Sequence, residues 1–496
     1  MMSQPESSHR FWPKLRDPLV LLLLTLAAIA IHGYHPAAED AEIYVPQIKK
    51  ILNPSLYPFG AEFFQTHARL TLFPNLVAAS VRLTHLSLDA ALFVWQLVAI
   101  FLVLLACKRI ASKCFPTLAG RWAAVTMVAA LLTLPATGTT LYIMDQYFHP
   151  RSISAFCILF AIDAALERKY WRTALWLILT AAIHPLMTVF GIFYVVLLVL
   201  TEKVTPLTSA PSAALLFPGF PLTAPSPAYA ECLRDHGYYF LLRWRWYEWL
   251  GIFAPLALLW WFSRIARQKQ RPLLELLTRS LFYLGAICFV AGLVITIPRR
   301  FEVLTIYQPM RSFQLIYLLM VLVAGGLLGE SLLKTHPVRW IAVFLPLSLA
   351  MSYAQFQLFP SDRHVEWPGV ASTNPWVQAF VWARENTPVD ANFALNPDYM
   401  ALPGEDYQGF RAIAERSRLA DATKDWSAVI MFPNLPLADE CLAQVHAAQS
   451  LSHLDPADIE RVRNSYGVSW LVLEQPGIPG LTCPYQNNQV LVCRAN

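Results

Sequence analysis

Apolar runs near the length of a membrane span recur as far as Leu358, at 18–33, 88–107, 122–137, 153–166, 173–201, 248–263, 280–298, 311–329 and 340–358. A span needs about 20 apolar residues and several of these runs are shorter, so the pattern predicts about 9–11 transmembrane helices, some of them tilted or broken. The first run is long and lacks a small-residue cleavage site, which reads as an uncleaved anchor. The stretch 70–86, LTLFPNLVAASVRLTHL, reads as a helix lying laterally or half-inserted. From 362 onward the pattern changes. PWVQAFVWARENTP and DPADIERVRNSYG read as helices, the second capped by Asp455, and ANFALN, VSWLVLEQ and QVLVCRA read as strands. The expected architecture is an α-helical polytopic membrane body over 1–361 and a small α/β soluble domain over 362–496.

Composition agrees. Hydrophobic residues make up 56% of the 496 and charged residues only 14%, against about 25% charged in a soluble domain. The net charge of +5 mostly serves topology and does not point to nucleic acid. With Arg10, Lys14 and Arg16 inside, the basic loops around Lys108–Arg121 and Arg264–Arg279 fall inside too. Each run then crosses once, and the loops 32–87 and 202–247 and the whole C-terminal domain lie outside. The second of these loops holds TPLTSAPSAALLFPGFPLTAPSPAYA, which cannot bury a core and is expected to be mobile, and ends in the interfacial YYFLLRWRWYEW. Of the eight cysteines, Cys483 and Cys493 flank a hairpin-like PYQNNQVLV and are the expected disulfide. No cysteine and histidine spacing suggests zinc.

Polar residues in so apolar a chain narrow the choice of chemistry. HGYHPAAEDAEIYVPQIKK follows the first run and gathers Glu39, Asp40 and Glu42 ahead of an amphipathic helix marked by Ala41, Tyr44, Val45, Ile48, Ile51 and Leu52. Pro46 places the start of the regular helix near itself. Either the acids cap that helix, or a carboxylate at the water–lipid border has its pKa raised toward that of a general base. MDQYFHPRS supplies Asp145, His149 and Arg151 on the outer side. AAIHPLM places His184 beside Pro185 within one long run, a kink whose histidine is either structural or part of a site. IPRRFEVLTIYQPMRSFQ supplies Arg299, Arg300 and Arg311, suited to phosphate oxygens, to lipid headgroups or to pairing with Glu302. Arg411, Arg416, Arg418, Asp421, Lys424 and Asp425 read as a solvated face laced with ion pairs.

In this layout the chain resembles the GT-C superfamily of polytopic glycosyltransferases, which use sugars carried on polyprenyl phosphates. The resemblance rests on the acids Glu39, Asp40 and Glu42 after the first span, the surface helix around Pro46–Leu52 and the outer domain 362–496. WARENTPVDANFALNP, GFRAIAERSRLADATKDW and YGVSWLVLE also resemble the outer domains of bacterial members. No clear Asp-x-Asp, Arg-x-Asp-Glu or WWD-type signature is present. The resemblance implies an enzyme of a bacterial inner membrane with its C-terminal domain in the periplasm. Asp40, Glu39 or Glu42 would be the base, and Arg299, Arg300 and Arg311, with His149, Arg151 and His184, would form the substrate site. A polyprenyl-phosphate-linked sugar, membrane lipids and an acceptor would be its partners. The carboxylates could hold Mg²⁺ or Mn²⁺ beside the phosphate, though the sequence does not require a metal. A transporter or lipid flippase with His184 at its midplane, and a non-catalytic scaffold, stand as alternatives.

Overall fold

The computed structural model describes residues 12–203, 226–297, 299–432, 436–449, 451 and 456–495, without the side chains of 12–15, 203, 299, 300 and 456. The Pro/Ala/Ser-rich stretch at 204–225 and Asp455 thus lie outside the described residues.

Helices follow the apolar runs, because a backbone in an apolar surrounding must satisfy its own polar groups. In order they are α1 (Trp12–His32), α2 (Ala41–Leu52), α3 (Ala61–Ala68), α4 (Phe73–Thr84), α5 (Leu88–Cys114), α6 (Leu118–Ala130), α7 (Pro150–Leu166), α8 (Tyr170–Ile183) and α9 (Pro185–Lys203). Then come α10 (Pro227–Asp235), α11 (Trp246–Gln268), α12 (Pro272–Thr296), α13 (Ser312–Leu328) and α14 (Pro337–Leu358). Local chemistry sets their starts: the Ser87 and Thr117 hydroxyls accept the N–H of Ala90 and Gly120, and proline opens α7, α12 and α14.

Among the described residues, 6 helices are long and apolar enough to cross a membrane: α5, α9, α11, α12, the continuous stretch Phe301–Leu333 that contains α13, and α14. The apolar α6 and α8 are shorter. On α14 every fourth residue, Ile341, Leu345, Leu349 and Tyr353, is exposed, a stripe suited to lipid. The chain is a multi-pass helical membrane protein with a sheet-containing C-terminal region.

Two of the expected runs are cut differently. The run 122–137 ends its helix at Ala130, and the chain then forms a two-residue strand pair, β1 (Pro135–Ala136) with β2 (Leu141–Tyr142). The run 173–201 is not one kinked crossing but a helical hairpin. Arg168 Nε lies 3.1 Å from Glu202 Oε1, so the start of α8 meets the end of α9. Gly191 packs against Leu177 across the pair. Pro185 cannot donate to the preceding turn, and the loop before α4 satisfies carbonyls left open at the end of α8. Leu72 N donates to Ala182 O at 2.9 Å, and the Thr71 hydroxyl to Ile183 O at 2.5 Å.

This moves the beginning of the expected outer loop 202–247. Thr201 O accepts from Arg279, near the start of α12, at the end of the bundle that holds the Arg109–Asp163 and Arg271–Glu330 pairs. Helix α10 and His236 after it sit at the opposite end, where the Tyr229 hydroxyl donates to Ile430 O at 2.6 Å and His236 Nε2 meets Ser427 Oγ at 2.7 Å. The stretch 70–86 forms α4, whose 12 residues are too few to span and which packs on α2.

The C-terminal region contains α15 (Pro375–Asn386), β3 (Asn392–Ala394), α16 (Phe410–Ala414), β4 (Ser417–Arg418), α17 (Asp425–Ile430), α18 (Leu437–Gln449), α19 (Pro456–Tyr466), β5 (Trp470–Glu474), β6 (Tyr485–Gln486) and β7 (Val490–Arg494). One mixed sheet runs in the order β4-β3-β5-β7-β6. Its β4, β3 and β5 are parallel, and β7 and β6 return antiparallel, with Phe393 opposite Trp470 and Leu471 opposite Cys493. Phe380, Phe393, Phe410 and Trp470 fill one face. The expected disulfide, Cys483–Cys493, joins the β6–β7 hairpin.

Candidate functional site

The exit of α1 makes a tight reversal. Gly33 has φ +79, and a Cβ there would meet His364 O at 2.5 Å, so the turn requires glycine. Glu39 adopts a left-handed φ of 56, and α2 then begins at Ala41, a turn earlier than Pro46 suggested. Asp40 precedes that helix but makes no capping bond with its side chain. Its oxygens go elsewhere: Oδ2 lies 3.1 Å from Arg151 Nη1, and Oδ1 lies 3.1 Å from Lys424 Nζ. Lys424 also pairs with Glu39. Arg151 reaches on to Asp145 Oδ2 at 3.4 Å, and His149 Nε2 meets the same oxygen at 3.2 Å.

These groups line one wall of a cavity of about 1050 Å³, bounded by the first loop, the β1–β2 turn, the α8–α9 reversal and α17. Glu39, Asp40, Asp145, Arg151 and Lys424 all face it, as do His184 and Arg311. The buried Nε of Arg311 has no hydrogen-bond partner among the described residues. Leu70, Leu186 and Val189 form an apolar side of the same cavity, and Leu70 and Val189 are also half-exposed on the outer surface. His149 is buried but is not part of the lining. The side chains of Arg299 and Arg300 lie outside the described residues.

Electrostatics differ from the expectation at Asp40. Burial alone would raise its pKa, but the Lys424 ammonium and the Arg151 guanidinium, helped by His149 and Arg311, hold it well below the usual carboxylate range. Lys424 is shifted the other way: burial would lower it, but Glu39 and Asp40 raise it above the usual lysine value. Burial pushes His67, whose Nε2 meets the Tyr44 hydroxyl at 3.0 Å, down to about 4 despite the nearby Asp40.

Glu42 does not join the cavity. Its fully buried carboxylate accepts the backbone N–H of Arg411 at 3.1 Å and of Ala412 at 3.0 Å, and Arg418 Nη2 at 2.9 Å. The charged stretch expected on a solvated face is likewise interior. Arg411 grips Asp425 through two bonds of 2.8 and 3.0 Å, and Arg418 bridges Glu42, Asp421 and Asp425. Arg416 is buried too, with its Nε 3.1 Å from Thr387 Oγ1. Polar residues can hide this way only when every partner arrives together, and half of these partners lie on the first loop or on α17. Lys424 is the cavity residue that sequence reasoning placed wrongly; nothing in its neighbourhood along the chain distinguishes it from a surface lysine.

As they stand, the acids of the first loop do not fit a divalent cation. An ammonium and a guanidinium already face both oxygens of Asp40, and Glu42 belongs to a separate buried cluster.

No protein-family model matches the chain, and no curated protein is significantly similar to it. Solved structures are similar at low identity. The oligosaccharyltransferase of Archaeoglobus fulgidus, solved with Zn and sulfate, is 12% identical with a TM-score of 0.43, over 92% of this chain and 68% of that one. The oligosaccharyltransferase AglB of the same organism, solved with an inhibitory peptide and a dolichol-phosphate, is 13% identical with a TM-score of 0.42, over 93% and 70%. The mycobacterial arabinofuranosyltransferase AftD is 15% identical with a TM-score of 0.43, over 99% of this chain and 40% of its own length.

Proposed function

We propose that the protein transfers a sugar from a polyprenyl-phosphate donor to an acceptor hydroxyl in this cavity. One observation carries the reading: Asp40 and the hydrogen-bond-poor Arg311 line the same cavity, and one side of it is apolar, with Leu70 and Val189 also half-exposed at the surface. The polyprenyl chain would lie along Leu70, Leu186 and Val189, with its phosphate toward Arg311 and His184.

The acceptor oxygen attacks the anomeric carbon as the bond from that carbon to the phosphate oxygen breaks, and the phosphate leaves with the electron pair. Direct displacement inverts the anomeric centre. The acceptor proton passes to Asp40, which its cationic neighbours keep ionised and which therefore accepts the proton only as the hydroxyl becomes acidic in the transition state. Arg311 stabilises the charge growing on the departing phosphate, and Lys424 and Arg151 hold Asp40 in place.

In this reading the cavity and the C-terminal region face the outside of a bacterial inner membrane. A phosphatase reporter fused after Asn496 should then be active, and a cytoplasm-only reporter silent. The central test is transfer of labelled sugar from a polyprenyl-phosphate donor by the purified protein and by Asp40→Asn. Transfer by the wild type that the variant lacks at equal protein level supports the assignment. Equal transfer by both removes Asp40 from the reaction.

A further inference from the structure

A second cluster of ionisable groups lies outside the cavity, where the exits of α1 and α14 meet. His35, Asp362 and Glu366 each offer one ligand atom, and these atoms all lie within 4.8 Å of one another. None of the three lines the cavity. We propose that they bind one divalent metal ion of the zinc class, a structural site that ties the first loop to the start of the C-terminal region.

The groups are held in place before any ion arrives. The ring of His35 is stacked on Phe359 with centroids 3.8 Å apart and planes 16° from parallel. Its Nδ1 stands 2.8 Å from Glu366 Oε1. The Gln408 carboxamide donates to Asp362 Oδ2 at 2.7 Å and to Glu366 Oε1 at 3.1 Å, fixing both carboxylates. The neighbouring Asp406 spends Oδ2 on the backbone N–H of Ser361 and Asp362, at 2.6 and 3.0 Å. A parallel bridge between Tyr34 and Val365 keeps the two chain segments side by side.

Two features call for a cation. The first is an unmet acceptor: Asp362 is 8% exposed, and its buried Oδ1 has no hydrogen-bond partner among the described residues. The second is unbalanced charge. No lysine or arginine pairs with Asp362, Glu366 or Asp406 among the described residues; the one ion-pair partner is His35. Buried carboxylates left unpaired are costly, and a divalent ion supplies the missing charge.

The donor set chooses the metal. An imidazole with two carboxylates suits zinc or a related transition metal, whereas magnesium and calcium favour all-oxygen shells. Zinc ligands stand about 2.0–2.2 Å from the ion, so small side-chain shifts close the observed spread around one ion. Water would complete the shell.

The test uses the full chain in detergent, stripped with chelator, loaded with Zn²⁺ and desalted. One equivalent of zinc should remain, with an absorption-edge spectrum showing one imidazole and oxygen neighbours, and the melting temperature should rise on loading. Asp362→Asn and Glu366→Gln should each weaken binding at least about tenfold, since even outer-shell changes cost roughly 10–100-fold. Asp40→Asn should keep the metal. The inference is overturned if the wild type retains no stoichiometric zinc, if the spectrum shows no imidazole, or if both carboxylate variants hold zinc as tightly as the wild type. The wild-type measurement and spectrum decide the matter even if a variant fails to fold.

Discussion

The ammonium of Lys424 sits 3.1 Å from Asp40 Oδ1 and joins residues 384 positions apart in the chain. The C-terminal region therefore supplies a cation to the acids of the first loop and completes the cavity wall. Asp40 is held as a carboxylate by residues from three separate parts of the sequence: the start of α7, the segment just before α13 and the segment before α17.

Asp40→Asn keeps the shape of the side chain and removes its charge. Because Asp40 makes no capping bond, α2 should be unaffected and the variant should accumulate normally. Loss of a general base is worth about 10²–10⁴-fold in rate. Initial rates of sugar transfer at matched protein level measure it.

Lys424→Met separates positioning from chemistry. Without the ammonium, the largest influence holding Asp40 low is gone, so the carboxyl should titrate at higher pH. The acid limb of the pH–rate profile should move up by about one pH unit or more. A profile that keeps its shape and loses only amplitude would show that Lys424 serves packing alone.

Arg311→Leu bears on the donor phosphate. A hydrogen bond to a charged group contributes about 1.5–3 kcal/mol, which corresponds to a loss of roughly 10- to 100-fold in affinity for polyprenyl phosphate. Binding of the sugar-free lipid phosphate, measured in detergent, is the readout. Thermal stability should stay near that of the wild type.

Glu42→Gln should act on stability rather than on turnover per folded molecule. The amide presents an NH₂ group where Ala412 N–H now donates, and loss of a charged acceptor there costs about 1.5–3 kcal/mol. The expected result is a lower melting temperature, with the rate per folded molecule little changed. Normal stability with abolished transfer would return Glu42 to the list of bases.

His67 makes stability pH-dependent. Burial lowers it from an ordinary value of 6.5 to about 4, so the folded chain keeps it neutral while the unfolded chain protonates it. Its contribution is therefore complete above about pH 6.5 and is lost as pH falls toward about 4, by about 1.4 kcal/mol per pH unit at most. Melting curves of the wild type and His67→Gln, compared across that window, should show the variant less sensitive to acid.

Much of the architecture is legible from local pattern. Apolar runs locate the helices, α4 is correctly read as non-spanning, and the alternation after 362 picks out α15, β3, β5 and β7. The Cys483–Cys493 pair follows from its hairpin. The site is legible in part: Glu39, Asp40, Arg151, His184 and Arg311 do face one cavity. Hydropathy could not tell the α8–α9 hairpin from one long crossing, because a reversal at a single His-Pro step leaves the apolar run unbroken.

What chain pattern carries is whatever depends on neighbours within a few turns: periodicity, capping, the proline that opens a helix. Burial of charge is a different kind of property. Glu42, Arg411, Arg418 and Asp425 each look like surface residues beside their own neighbours; the arginines meet Asp421 and Asp425 within one stretch, but the cluster is closed by Glu42, which arrives from the first loop. Lys424 becomes part of the cavity, and Asp40 becomes a weak base held ionised, through a contact 384 positions long. A charge leaves water only where folding delivers its counter-charge, and for Glu42 with Arg418 and Asp40 with Lys424 no stretch of sequence contains both halves.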